Sequence, residues 1–526
     1  MSTNKSEPPD SHRSIIRSTS VISAGTLLSR ILGFLRDIVL AKLLGTGFRA
    51  DAFFVALKIP NLFRDLVGEG ATNAAVVPVL SQYKEKNKEE FWNFINIVFT
   101  LGLIFLSVIT LLGILLAPWV VRTLAPGFID DPEKFQLTVH LTKLIFPYLV
   151  FIGLTAYSMG VLYTFRSFWS PAFSPCLLNV AMIVSAVLAS QHMKEPVVGM
   201  AIGVLIGGLL QLLMQWIPLL KIGLRYQWPK TLKHPGAAQI GKLMIPRLVG
   251  GGVYQLSVFI DTFCASLASI VGAGGISAIY YTNRIIQFPM GIFSIALASA
   301  VLPSLSGLVN KNDIQGIKKM IVFSLENIFF VMAPTTMILF LLSGPIVHAL
   351  FERGEFDAYS THITASALSF YCLGLFSFGG IKILVTAFHA FQDTKTPVKV
   401  AALCLTINAT LNFVLMYPLK VAGIALASAI AGTIDFLILF YVMRQRLGDL
   451  NSGLLGYFLK VSIASLIVGI VEYVSWQYWT VNHPIAKLLF IGFGGFVLYF
   501  FVCLTLRVEQ AQKIWTWIRK PYNLFP

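Results

Sequence analysis

Apolar runs of about 20 residues recur from Ser20 to the end of the chain, broken only by short polar segments. A helix of that length crosses the hydrocarbon core of a bilayer. The pattern predicts an all-α polytopic membrane protein with fourteen transmembrane helices. They are expected over residues 20–44, 51–82, 91–121, 137–165, 171–189, 196–220, 237–271, 275–308, 320–350, 361–391, 396–417, 421–443, 454–476 and 484–506. An even number of crossings leaves both termini on one side. With the N-terminus inside, twenty-one Lys and Arg fall in inner segments and six in outer ones (Arg49, Arg122, Lys134, Lys194, Arg353 and Lys420). Positive residues collect on the cytoplasmic side, so both ends are expected there.

The chain also resembles itself at an offset of about 225 residues. Ala75–Ser81 resembles Ala300–Ser306, Asp37 matches Asp261, and the turn Phe165–Pro171 matches Phe391–Pro397. Each copy holds six helices, so the two enter the membrane in the same direction and form a parallel repeat. The expected organisation is a polar tail (1–19), an N-lobe (20–222), a C-lobe (223–446), a C-terminal helix pair (447–508) and a second tail (509–526). The lobes are expected to enclose a central substrate site.

Composition narrows the class. Of 526 residues, 56% are hydrophobic and only 12% charged, about half the charge of a soluble protein. That excludes a soluble enzyme, a disulfide scaffold and a disordered chain. The net charge of +16 is dispersed through loops and spans, so no nucleic-acid partner is expected. The five cysteines lie in apolar stretches without a C-x-x-C pair, and the eight histidines show no metal spacing. No nucleotide-binding G-x-x-x-x-G-K-[ST] loop occurs, so no intrinsic ATPase is expected. Met1–Ser20 has no apolar core and does not read as a signal peptide.

Charge inside the spans is the informative feature. Thirteen Lys and Arg lie within or at the edges of the predicted helices, each costing about 2.5–3.5 kcal/mol at a helix centre. Lys42, Lys399 and Lys487 lie near helix ends and can snorkel; the others are expected to line a wet cavity. Arg30 and Arg36 fall in helix one, Arg64 in helix two and Arg284 in helix eight, the counterpart of helix two. Two readings stand. These arginines could pair with Asp37, Asp51, Asp65 and Glu69 between packed helices. Alternatively they form an anion site, since a guanidinium stays charged and grips phosphate oxygens with two bonds. In-span cations outnumber the eight in-span carboxylates (Asp37, Asp51, Asp65, Glu69, Asp261, Glu326, Asp435 and Glu472), so such a cavity would be positive. Bends are expected at Pro60, Gly68 and Gly70, at Gly250–Gly252 and at Pro289.

Certain motifs are specific. Ser29-Arg30-Ile31-Leu32-Gly33-Phe34-Leu35-Arg36-Asp37 is followed by Ala50–Ala56, by Pro60-Asn61-Leu62-Phe63-Arg64, and by Glu69-Gly70-Ala71. Tyr281–Arg284, Phe288–Gly291, Leu350–Gly354 and Asp393–Pro397 come later. The chain resembles the MurJ (MviN) lipid II flippase family of the multidrug/oligosaccharidyl-lipid/polysaccharide exporter superfamily. The resemblance implies a transporter in the bacterial inner membrane that serves peptidoglycan synthesis. Its substrate would be undecaprenyl-pyrophosphate bearing N-acetylmuramoyl-pentapeptide and N-acetylglucosamine, moved outward by alternating access and driven by the membrane potential. It implies a substrate site of Arg30, Arg36, Arg64, Arg284, Asp51, Glu69 and Asn61, and a lipid-tail groove on helices thirteen and fourteen. It also implies a sodium site at Asp261, Asn408, Asn412 and Ser428, with Asn412 where a carboxylate is expected. Asn283 and Gln287 replace acidic residues of some relatives. Membrane lipids and wall-synthesis or division proteins are the implied partners, and no organic cofactor is. The alternatives are a flippase for another polyprenyl-linked saccharide, a drug antiporter, a membrane glycosyltransferase and a non-transporting scaffold for wall synthesis. A drug antiporter would favour cavity carboxylates, and no acidic metal-binding loop supports a transferase.

Overall fold

The computed structural model describes residues 9–64, 72–86, 88–450, 453–479 and 483–519. Helices dominate and no strand occurs among the described residues. In hydrocarbon a helix meets every backbone hydrogen bond within itself. Eleven helical passages among the described residues are long and apolar enough to cross a membrane. They coincide with predicted helices three to six and eight to fourteen. Expected helices one, two and seven are not among these eleven, and residues 65–71 of the second lie outside the described residues. The chain forms two compact units, Met1–Gln255 and Leu256–Pro526.

The first unit contains α1 (Pro9–Leu44), α2 (Phe48–Phe63), α3 (Thr72–Lys86), α4 (Lys88–Leu115), α5 (Ala117–Leu124), α6 (Pro132–Ile145), α7 (Tyr148–Thr164), α8 (Trp169–His192), α9 (Pro196–Ile222) and the first part of α10 (Pro235–Ser266). Helix α1 begins ahead of the expected Ser20, with Pro9 at its first position, where the missing N–H has no helical partner to lose. On α9, Gly199, Gly203 and Gly207 meet Ala189, Ser185 and Leu178 of α8, so the two backbones approach closely. An aromatic cluster of Phe91, Phe94, Phe99, Tyr157 and Trp216 centres this unit.

The division between the two compact units falls within α10, after Gln255. The reason is local: Ile240 of α10 packs into the first unit's core, and His234 just before it stacks on Phe94 with ring centroids 4.4 Å apart. The predicted glycine bend at 250–252 lies in the middle of this helix, which stays continuous there.

The second unit continues with α11 (Ala268–Val271), α12 (Gly275–Pro289), α13 (Ala296–Asn310), α14 (Ile314–Leu341), α15 (Ser343–Phe351), α16 (Ala358–Tyr371), α17 (Leu375–Ala390), α18 (Lys395–Leu419), α19 (Val421–Leu447), α20 (Leu454–Tyr478), α21 (Pro484–Thr505) and α22 (Glu509–Arg519). After Pro289 the helix widens into a π turn over Met290–Ile295, where the bend was expected. Helices α20 and α21 pack on α14: Phe458 meets Phe329, and the Tyr499 hydroxyl donates to the Phe330 carbonyl at 2.8 Å.

The repeat is visible in the backbone. Arg166, between α7 and α8, has φ 55°, and Gln392, between α17 and α18, has φ 59°. The Ser167 N–H donates to the Leu162 carbonyl at 3.0 Å, and the Asp393 N–H to the Phe388 carbonyl at 2.9 Å. Both are the same left-handed helix ending, at positions the sequence offset had paired.

Candidate functional site

Arg30 and Arg36 are six residues apart on α1, which rotates them about 120° from each other. They accordingly separate: Arg30 is exposed, whereas Arg36 is 7% exposed and turned into the packing against α8. Its Nε and Nη2 donate to Asp37 Oδ1 at 3.0 and 2.8 Å, and its Nη1 to Asn179 Oδ1 at 3.0 Å. Asn179 in turn donates to the Ser29 carbonyl at 3.0 Å. The ion-pair reading therefore describes Arg36 in this structure, and Asn179 is the partner the sequence left unnamed.

Asp51, in the first turn of α2, is 1% exposed and accepts a 2.8 Å ion pair from Lys134 Nζ. Lys134 is itself 7% exposed, and its Nζ lies 4.1 Å from the Phe128 ring centroid. Sequence reasoning placed Lys134 in an outer loop, because counting charge assigns a side and says nothing of burial. The signal was present: Asp131-Pro132 starts α6, and Asp131 caps the Lys134 N–H at 3.1 Å. Asn61 and Arg64 are half-buried at the end of α2. Asp65 and Glu69, with Gly68 and Gly70, lie outside the described residues.

In the second unit, Arg284 is half-buried on α12. Its Nη2 donates to the Tyr280 hydroxyl at 3.0 Å, and its Nη1 to Gln287 Oε1 at 3.3 Å. Both partners are neutral, so these bonds orient the guanidinium without cancelling its charge.

Asp261, Asn408, Asn412 and Ser428 come together from α10, α18 and α19. Asn412 Nδ2 donates to Asp261 Oδ1 at 2.7 Å, and Ser428 Oγ to Asp261 Oδ2 at 3.2 Å. Asn412 Nδ2 also reaches Asn408 Oδ1 at 3.2 Å, and Asn408 Nδ2 reaches Ser428 Oγ at 3.3 Å. Asn412 Oδ1 is buried with no hydrogen-bond partner among the described residues. An unused acceptor beside a carboxylate, an amide oxygen and a hydroxyl is a donor set that fits a small hard cation.

A family model described as lipid II flippase MurJ matches residues 40–494. The chain belongs to this family. It is 36% identical over 463 residues to the lipid II flippase MurJ of Burkholderia cenocepacia, covering 86% of this chain and 89% of the relative. It is 35% identical over 438 residues to a probable lipid II flippase MurJ of Vibrio cholerae, covering 81% and 82%. Among solved structures, a lipid II flippase MurJ in an inward closed conformation aligns with TM-score 0.77 at 28% identity, over 92% of this chain and 98% of that one. An inward-facing multidrug resistance transporter of the MATE family aligns with TM-score 0.68 at 13% identity, over 81% and 96%, a likeness of fold alone. MurJ proteins are membrane flippases, so this chain is a multi-pass transporter and not an enzyme. The family is the one the motifs from Ser29 to Ala71 had indicated.

Proposed function

We propose that the protein moves lipid II from the inner to the outer leaflet of the bacterial cytoplasmic membrane by alternating access, with fourteen transmembrane helices and both termini in the cytoplasm. The observation that carries this reading is membership of the MurJ family, and the motif resemblance adds arginines at positions 30, 36, 64 and 284. Arg30, Arg36, Arg64 and Arg284 would hold the diphosphate, with Asn61, Asp51 and Glu69 completing the site. Tyr280 and Gln287 orient the Arg284 guanidinium. Arg36 would have to exchange Asp37 and Asn179 for phosphate oxygens. That exchange offers a physical trigger: a captured diphosphate would loosen the α1–α8 contact. The polyprenyl tail would lie along α20 and α21.

The membrane potential would supply the drive, worth about 2.3 kcal/mol per elementary charge per 100 mV. An inside-negative potential favours outward passage of an anionic head group. Asp261, Asn408, Asn412 and Ser428 would hold a sodium ion and stabilise the second unit when loaded. Wall-synthesis and division proteins would be neighbours in the membrane.

Reconstitution into vesicles with labelled lipid II tests the reading, with head-group accessibility as the measurement. Wild-type protein is expected to expose the label across the bilayer, and Arg284→Ala to fail while still inserting. Wild-type vesicles that never translocate lipid II, with or without an imposed potential, would overturn the assignment.

A further inference from the structure

Glu472 lies toward the C-terminal end of α20, is 2% exposed, and neither of its carboxyl oxygens has a hydrogen-bond partner among the described residues. It faces Gly495 of α21, where a β-carbon would overlap the carboxyl group. The glycine therefore forms the cradle that lets the two helices close over the acid. Ser465 and Val468 continue the same buried face, and Gly469 rests on Met337 and Leu341 of α14.

No charged group of the packed elements answers it among the described residues. Lys487 of α21 points instead at Trp476, with Nζ 4.3 Å from the ring centroid. On α14, Glu326 accepts from Gln510 of α22 at 3.1 Å, while Lys318 and Lys319 stand at that helix's opposite end from Leu341. His348 of α15 is paired with Glu352 at 2.9 Å.

A carboxylate without a protein cation or donor is among the costliest groups to bury in an apolar interior, whereas the neutral acid costs far less. In the closed seam Glu472 therefore carries its proton. Ionisation demands water, and with α14 behind it the route to water is to part α20 from α21. Proton occupancy and helix pairing are linked by the same free energy. We propose that Glu472 is a proton-binding site whose occupancy locks α20 to α21, so that proton release loosens the pair. The site needs no assumption about the transported lipid. If α20 and α21 also hold the polyprenyl tail, proton release at Glu472 would relax that groove.

Dicyclohexylcarbodiimide tests this directly, since the reagent partitions into membranes and reacts with protonated carboxyls. The full-length protein in lipid nanodiscs is expected to carry an adduct on the peptide containing Glu472. The labelled fraction should fall about tenfold per pH unit above the midpoint, and Glu472→Gln should carry none. Hydrogen exchange along α20 and α21, corrected for its intrinsic pH dependence, should rise with pH in the wild type and stay level in Glu472→Gln. The labelling arm stands on the wild type alone and does not depend on how the variant folds. Absence of the adduct at every pH in folded protein that labels once unfolded would overturn the proposal, as would equal labelling across the range. So would wild-type exchange in the pair that ignores pH.

Discussion

Asp37 of α1 and Asp261 of α10 occupy matching places in the two copies of the repeat, yet their surroundings differ in kind. In the first unit the carboxylate is met by the guanidinium of the preceding residue, Arg36, with Asn179 of α8 completing the cluster. In the second unit Asn412 and Ser428 meet it, with Asn408 behind them. One cluster carries its own cation on the chain. The other brings the neutral groups of Asn412 and Ser428 onto its carboxylate, the set proposed above for a cation. If the proposed cation site is filled, the repeated scaffold would carry a covalently attached positive charge in one unit and an exchangeable one in the other.

The largest effect should come from removing the built-in cation. Arg36→Ala takes the guanidinium from a buried carboxylate, and breaking a buried pair in this way costs about 3–5 kcal/mol. Thermal unfolding in detergent should fall accordingly, and cells depleted of their own flippase should not grow on the variant. The double variant Arg36→Met with Asp37→Asn removes both charges and should recover most of the stability while transport stays lost. If transport returns with stability, Arg36 is an internal strut and the diphosphate is held elsewhere.

The second cluster should respond to the solution instead. A bound ion stabilises the folded state in proportion to the logarithm of its concentration. Sodium is therefore expected to raise the melting temperature more than potassium at equal ionic strength, and Asp261→Asn should abolish the difference. The isosteric amide leaves the packing intact, so its cost without sodium should be about 1–3 kcal/mol. A sodium-specific shift that survives in Asp261→Asn would place the ion at another site. Equal shifts in sodium and potassium for the wild type would remove the contrast between the units.

A smaller change probes Arg284. Gln287→Glu offers this guanidinium a carboxylate in place of an amide oxygen at 3.3 Å. A partly exposed pair of this kind is worth up to about 1 kcal/mol, so transport should fall by no more than about fivefold. Complete loss would mean that Arg284 must be free of any anion other than the substrate.

Much of this contrast was legible beforehand. The pairing of Asp37 with Asp261 follows from the offset alone, and so does the pairing of the two turns, because a chain ending a helix the same way twice uses similar residues. The family could be read from the motifs between Ser29 and Ala71. What periodicity cannot supply is the neighbour. It separates Arg30 from Arg36 by angle, but only the α1–α8 packing decides that Arg36 meets Asn179 rather than water. Counting loop charges placed Lys134 outside and hid its pair with Asp51. Glu472 was one acid among eight in the spans, and only the opposing Gly495 reveals that it is enclosed without a partner.

The slightest effect concerns how each repeat is tied down outside the membrane. In the first unit His234 stacks on Phe94, and its Nδ1 accepts the Gly236 N–H at 3.1 Å. Burial holds its pKa below the ordinary histidine value, against an opposing pull from Glu90. In the second unit Asp393 accepts from the Thr396 N–H at 3.1 Å and from Arg446 at 3.4 Å. The Thr396 backbone bond leads the causes that hold its pKa below the ordinary aspartate value. The signs differ in range. A histidine with a lowered folded pKa contributes stability above about pH 6.5 that fades as pH falls through and below that value. The aspartate's contribution is complete above about pH 3.9 and is lost only below it. Between neutral pH and about pH 5 the first connector should loosen while the second holds. Hydrogen exchange corrected for its intrinsic rate should show this in residues 234–240 and not in 391–397, and His234→Gln should remove the response. Loosening of both connectors together would mean that acid acts on the whole fold, and the difference between the units would not extend to these connectors.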